Sequence, residues 1–172
     1  MSRLSLAAFL VLTLATGATH AEAPGPEGTF ALDKAASDDV KAAVDRAAGE
    51  FNFLLRPFAR SRLTKANPVP QKVRIVYAPA EVSVQLDQAP PIVAPRDGHK
   101  VTWTRGDGDK FDLTATTEGG VLRQSFKGED GQRVNVYRLR DAKTLAMEVT
   151  LSSPRLHKPV TYTLVFRKVE SP

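Results

Sequence analysis

The chain is 172 residues long, 42% apolar and 25% charged, with 24 basic against 19 acidic residues and no cysteine. That composition describes one soluble folded domain. The missing cysteine excludes disulfide stapling, thiol catalysis, a lipidated N-terminal cysteine, Fe–S clusters and thiolate zinc.

At the N-terminus, Arg3 supplies a short positive region, Leu4 to Ala15 a mostly apolar stretch, and Thr19-His20-Ala21 a small-x-small cleavage pattern. Residues 1–21 are therefore predicted to be a signal peptide. Thr13, Thr16, Gly17 and Thr19 interrupt the run before it reaches the roughly 20 apolar residues that a membrane span needs. Cleavage after Ala21 removes Arg3 and no acid, so the formal charge of +5 becomes +4. Export of a cysteine-free chain points to the bacterial periplasm or the extracellular space. Residues 22–36, opening on the Pro- and Gly-rich stretch Glu22 to Gly28, read as a linker, and 37–170 as the single domain.

The domain begins with a helical pattern. Ser37 stands as an N-cap, Asp38 and Asp39 occupy the first turn, and Val40, Val44, Ala47, Ala48, Phe51, Leu54, Leu55 and Phe58 recur at spacings of three and four. The spacing predicts one continuous helix, ended or kinked at Pro57. Pro68 and Pro70 force extended chain after it.

From Gln71 onward the period is 2. Val73, Ile75 and Tyr77 share a face, then Val82, Val84 and Leu86; Val101 and Trp103; Phe111, Leu113 and Ala115; Leu122 and Phe126; Val134 and Val136; Leu145, Met147 and Val149; and Tyr162, Leu164 and Phe166. Alternate positions are mostly polar, which marks antiparallel sheet with one buried face. Turn residues at 105–109, 118–120, 128–131 and 140–143 make it a meander of about eight strands. The fold class is thus mainly β, α+β, with an N-terminal helix packed on an up-and-down sheet.

Matching apolar faces fixes two registers. A three-residue loop ending at Gly131 sets Phe126 against Val134 and Leu122 against Arg138; a four-residue loop at 140–143 sets Val136 against Met147. This leaves Gln124 and Arg138 as polar residues on the buried face. The Arg138 stem covers Leu122 and Leu145 while its head reaches water, or Arg138, Gln124, Trp103, Tyr77 and Tyr162 line a pocket for an amphiphile with an anionic head, or Arg138 forms a purely structural buried pair with an acid.

An exported antiparallel meander, apolar inside and wet outside, resembles the calycin-like barrels of lipocalins and fatty-acid-binding proteins over Gln71 to Glu170. The likeness is one of pattern. Trp103 follows Val101-Thr102 rather than standing in a Gly-x-Trp signature, Arg167 falls on the wet face, and no Arg-x-Tyr pair occurs in Tyr162 to Lys168. The helix is expected to lie on the concave face and fill the room a ligand would take.

Charge is uneven. Residues 51–80 carry Arg56, Arg60, Arg62, Lys65, Lys72 and Arg74 with no acid, while 22–50 carry seven acids and three bases. Complementing the helix dipole accounts for most of this; the other reading of Arg56, Arg60, Arg62 and Lys65 is a patch for an anionic partner such as lipid head groups. Nucleic acid has no recognition motif here. His99 and His157 lie in separate loops, no nucleophile or phosphate-loop motif occurs, and Asp107 and Asp109 serve a turn. No metal or cofactor is expected. Glu148 and Asp112 fall on the wet face, so no buried acid pair is expected for catalysis. Two classes of function remain: a non-catalytic exported binding domain for an amphiphilic or anionic small molecule, and a structural or interaction protein of the envelope with a helix-filled core and no ligand cavity.

Overall fold

The computed structural model describes residues 25–169. The predicted signal peptide, 1–21, lies outside the described residues. Ten strands and two helices follow in the order β1 (Gly28–Leu32), α1 (Val40–Gly49), α2 (Arg56–Ala66), β2 (Lys72–Tyr77), β3 (Glu81–Leu86), β4 (Ile92–Pro95), β5 (Val101–Thr104), β6 (Lys110–Glu118), β7 (Val121–Lys127), β8 (Gln132–Asp141), β9 (Thr144–Ser152) and β10 (Val160–Lys168). All pairings are antiparallel, in the spatial order β4-β3-β2-β1-β10-β9-β8-β7-β6-β5. The sheet curls into a nearly closed barrel. Its seam runs between β4 and β5 and is bridged where Asp97 pairs with Thr116.

Ten strands replace the expected eight. The two additional ones are β1, inside the segment expected to be linker, and β4, hidden among Pro90, Pro91 and Pro95. Proline cannot donate to a sheet, and β4 tolerates it because it is an edge strand. β1 inserts between β2 and β10, pairing Phe30 with Val73 on one side and with Lys168 on the other.

The single predicted helix is two. Asp39, not Ser37, caps α1 by accepting from the Ala42 N–H at 3.0 Å. Ser37 and Asp38 instead accept from the backbone N–H groups of Val165 and Thr163, on the side of β10 that β1 pairs with further along. Residues 51–55 form a turn, and Pro57 opens α2 rather than ending a helix, since its missing N–H has no partner to lose in the first turn. The apolar stripe is divided accordingly. Val40, Ala43, Val44 and Ala48 of α1 and Leu63 of α2 join the core, while Phe53, Leu54, Leu55 and Phe58 stand 77%, 66%, 52% and 71% exposed.

The helices cap one mouth of the barrel instead of filling it. Ion pairs tie α2 to two turns at that mouth: Arg62 to Asp130 at 3.6 Å and Lys65 to Asp107 at 3.0 Å. The barrel is filled by its own strands. Phe30, Ile75, Leu113, Leu122, Tyr137 and Met147 are all fully buried, leaving no space for water against them. Each such large apolar side chain contributes roughly 1.5–3 kcal/mol through burial.

Candidate functional site

The expected registers around β8 are each displaced by one residue. Lys127 pairs with Gln132, so the β7–β8 loop has four residues, 128–131. Gly131 is required there because a β-carbon would meet the Ser152 carbonyl oxygen at 2.3 Å. The β8–β9 connection is shorter than expected, pairing Asp141 with Thr144 beside a bulge between Leu139 and Asp141. β7 and β9 keep their predicted inward faces, but β8 is turned over, because a one-residue slip exchanges the two faces of a strand. Arg138 is therefore exposed on the outside, and Arg133, Asn135 and Tyr137 point inward. Asn135 pairs with inward Val149, and outward Val136 with Glu148.

Inversion of β8 places a guanidinium inside the capped mouth. Arg133 Nε donates to Asn135 Oδ1 at 2.9 Å, Nη1 to the Ala66 carbonyl at 2.7 Å and to Asn67 Oδ1 at 3.3 Å, and Nη2 to the Tyr162 hydroxyl at 3.2 Å. All four acceptors are neutral, and no carboxylate among the described residues pairs with it. The Tyr162 hydroxyl donates to Asn67 Oδ1 at 3.1 Å, and Asn67 Nδ2 to the Leu63 carbonyl at 2.7 Å, which closes the last turn of α2. Arg133 thus joins the barrel wall to the end of the helix above it.

The network continues inward. Asn135 Nδ2 donates to the Tyr137 hydroxyl at 3.3 Å. Burial pushes the Tyr137 phenol up to about 12 against the opposing pull of Arg133, and burial also raises Tyr162. Both phenols are therefore neutral hydrogen-bonding groups at physiological pH.

Beside Asn135 on β7 stands Gln124, fully buried, with neither amide atom hydrogen-bonded. The Thr117 hydroxyl on β6 is likewise buried without a partner. An unsatisfied buried polar group costs about 1–3 kcal/mol.

Of the residues that the sequence suggested for a pocket, Gln124 and Tyr162 are brought together with Arg133. Trp103 is inward at the same mouth, edge-on to Phe126 at 5.2 Å, and Phe126 is the cross-strand partner of Arg133. Tyr77 is inward at the far end, where the Gly25 backbone lies over its ring. Arg138 takes no part.

The suggested basic patch is largely internally paired. Arg60 holds Asp45 at 2.8 Å, Arg62 and Lys65 hold the turns named above, and Arg56 donates to the Gly49 carbonyl at the end of α1. Together with exposed Phe53 and Pro57, Arg56, Arg60 and Lys65 border an open groove of about 610 Å³ along α2.

Asn67, Arg133, Asn135 and Tyr137 escaped sequence reasoning. The run Arg133-Val134-Asn135-Val136-Tyr137 alternates equally well in either orientation, and only the loop lengths decide between them.

No family model matches the chain, and no curated protein sequence does. Solved structures share its fold. Fatty-acid-binding protein 1 of Echinococcus granulosus superposes with a TM-score of 0.57 at 15% identity, covering 84% of this chain and 97% of that one. A fatty-acid-binding protein from Drosophila melanogaster brain gives 0.54 at 16%, covering 81% and 95%, and lipid binding protein 8 of Caenorhabditis elegans 0.54 at 13%, covering 83% and 94%. The chain therefore has the ten-stranded, helix-capped calycin-like fold of the fatty-acid-binding proteins.

Proposed function

We propose that this chain is a non-catalytic, exported domain that binds an amphiphile with an anionic head. Arg133 carries the reading: a cation inside the mouth of a largely apolar barrel, satisfied only by neutral oxygens. An anionic head group would gain charge-assisted hydrogen bonds there, and the apolar remainder would enter a barrel already lined by aliphatic side chains. The similar structures bear the names of fatty-acid-binding and lipid-binding proteins, which supports the same ligand class.

The helical cap suits delivery from a lipid surface. Phe53, Leu54, Leu55 and Phe58 project from it, and Arg56, Arg60, Arg62 and Lys65 lie beside them on a segment without acids. We place the anionic envelope partner here, as lipid head groups. Because α2 is bound to Arg133 through Ala66 and Asn67, an anion that takes the guanidinium also loosens the cap. Residues 1–21 support export to the periplasm or beyond.

Trp103 is the only tryptophan and stands beside the site, so its fluorescence reports occupancy. Titration with oleate is expected to give a saturable change that the methyl ester does not, and Arg133→Gln should abolish the difference. Equal responses to acid and ester would sink the reading.

The closed interior favours a second reading, an envelope interaction protein without a ligand, whose core is filled by strand side chains rather than by a helix. Native mass spectrometry of protein purified from the periplasm separates the two. Retained amphiphile supports binding; a bare mass with no Trp103 response supports the interaction protein.

A further inference from the structure

We infer that the amphiphile carries a second oxygen, a hydroxyl or keto group part-way along its apolar portion, and that Gln124 recognises it. This rests on the amphiphile reading and deepens it. Gln124 is a fully buried primary amide whose donor and acceptor are both unused. Neither cross-strand neighbour bonds to it. The partner on β6 is Ala115, which offers no polar side-chain atom, and the partner on β8 is Asn135, whose amide bonds to Arg133 and Tyr137 instead.

Position gives the amide its meaning. Arg133 and Asn135 occupy successive inward positions of β8, and Gln124 is level with Asn135. Gln124 therefore lies one inward step, about 7 Å, deeper than Arg133 along the strand direction. Thr117, level with Leu122, lies one step beyond, its hydroxyl also buried and unpartnered. A molecule whose anionic end meets Arg133 carries its middle past Gln124.

A hydroxyl there both donates to the amide oxygen and accepts from the amide nitrogen. A plain alkyl chain leaves both buried and unpaired, and sites built for a hydrogen bond reject analogues that lack it. The ligand takes its volume by displacing side chains: Met147, the cross-strand partner of Tyr137, is unbranched and the most adaptable residue of that layer.

The test is a comparison of stearate with a mid-chain hydroxystearate on the full mature protein, read by Trp103 fluorescence and by calorimetry. The wild type should prefer the hydroxylated acid about tenfold, the worth of one well-placed hydrogen bond. Gln124→Met, close in shape but without the amide, should bring the ratio near one, mainly by weakening the hydroxylated acid. Gln124→Leu provides a second variant with the same expectation should the first fold poorly. A wild-type preference for stearate, or a ratio unchanged by either variant, would overturn the inference while leaving the amphiphile reading intact. A lowered melting temperature with an unchanged ratio would assign the amide to a purely structural bond. If neither acid binds the wild type, the amphiphile reading itself falls, and the inference with it.

Discussion

On β1 to β4 the inward positions hold Phe30, Leu32, Val73, Ile75, Val82, Val84, Leu86, Ile92 and Ala94, and only Tyr77, at the far end, carries a polar atom. On β6 to β8 the inward positions include Thr117, Gln124, Arg133, Asn135 and Tyr137. Both walls are antiparallel sheet, so the contrast of interest lies in their inward side chains. The aliphatic wall gives its full burial energy to the fold. The other wall places hydrogen-bonding groups where aliphatic ones would stabilise the barrel more, and two of them are left unpaired. Such a cost is expected where a wall serves a ligand rather than the fold.

The largest effect should come from the aliphatic wall. Phe30→Ala removes a fully buried ring at the junction of β1 with β2 and β10 and should cost about 3–5 kcal/mol in urea denaturation. A cost below about 1 kcal/mol, less than even a conservative core truncation usually produces, would show that this wall repacks and that the division between the walls is false.

On the polar wall, Arg133→Met should cost less, about 1–2 kcal/mol, since the lost charged hydrogen bonds are partly offset by no longer desolvating a cation. Its signature is local: hydrogen exchange should quicken in α2, whose Ala66 carbonyl and Asn67 side chain Arg133 holds, and not in β2 to β4. Uniform quickening would mean that Arg133 supports the barrel as a whole.

Gln124→Leu should reverse the sign. Removing an amide with no partner is expected to stabilise the ligand-free protein by about 1 kcal/mol, seen as a higher melting temperature. Destabilisation would show that the amide is satisfied after all.

The aliphatic wall was legible in the sequence and the polar wall was not, for a physical reason. Val73, Ile75, Val82 and Val84 alternate with exposed or half-buried Arg74, Val76, Ser83 and Gln85, so the inward face is unambiguous. In β8, Val134 and Val136 compete with Arg133, Asn135 and Tyr137 for the interior, and hydrophobicity favours the valines. The outcome is decided by a four-residue turn at 128–131 and a bulge near Asp141, neither of which periodicity reveals. Gln124 was legible as a buried polar residue because Leu122 and Phe126 fix its strand on either side. The helical cap departs from the single helix expected because a stripe at spacings of three and four continues through residues 51–55, where the chain turns. Nothing in local pattern shows that Phe53 to Phe58 remain in water.

The smallest effect concerns how the cap is fastened over the polar wall. The Asp107 carboxyl is held well below the usual carboxylate range, first by Arg105 and then by Lys65 of α2. A carboxyl depressed in the folded state adds stability above its unfolded value of about 3.9 and loses that contribution as the pH falls. Acidification through that region should therefore loosen α2, while the middle of β2 to β4, whose inward side chains include no carboxyl group, keeps its protection. In Asp107→Asn the attachment to Lys65 is already weakened at neutral pH, so α2 should exchange faster there and change less on acidification than in the wild type. Asp45 is also depressed, by Lys41 and Arg60, and contributes an acid response of its own. The informative quantity is thus the difference between the two proteins, measured by amide exchange of residues 56–66. An identical acid response in both would mean that Arg133 and Asn67 fasten the cap without the turn at Asp107, so that control of the mouth lies wholly on the inner, polar wall.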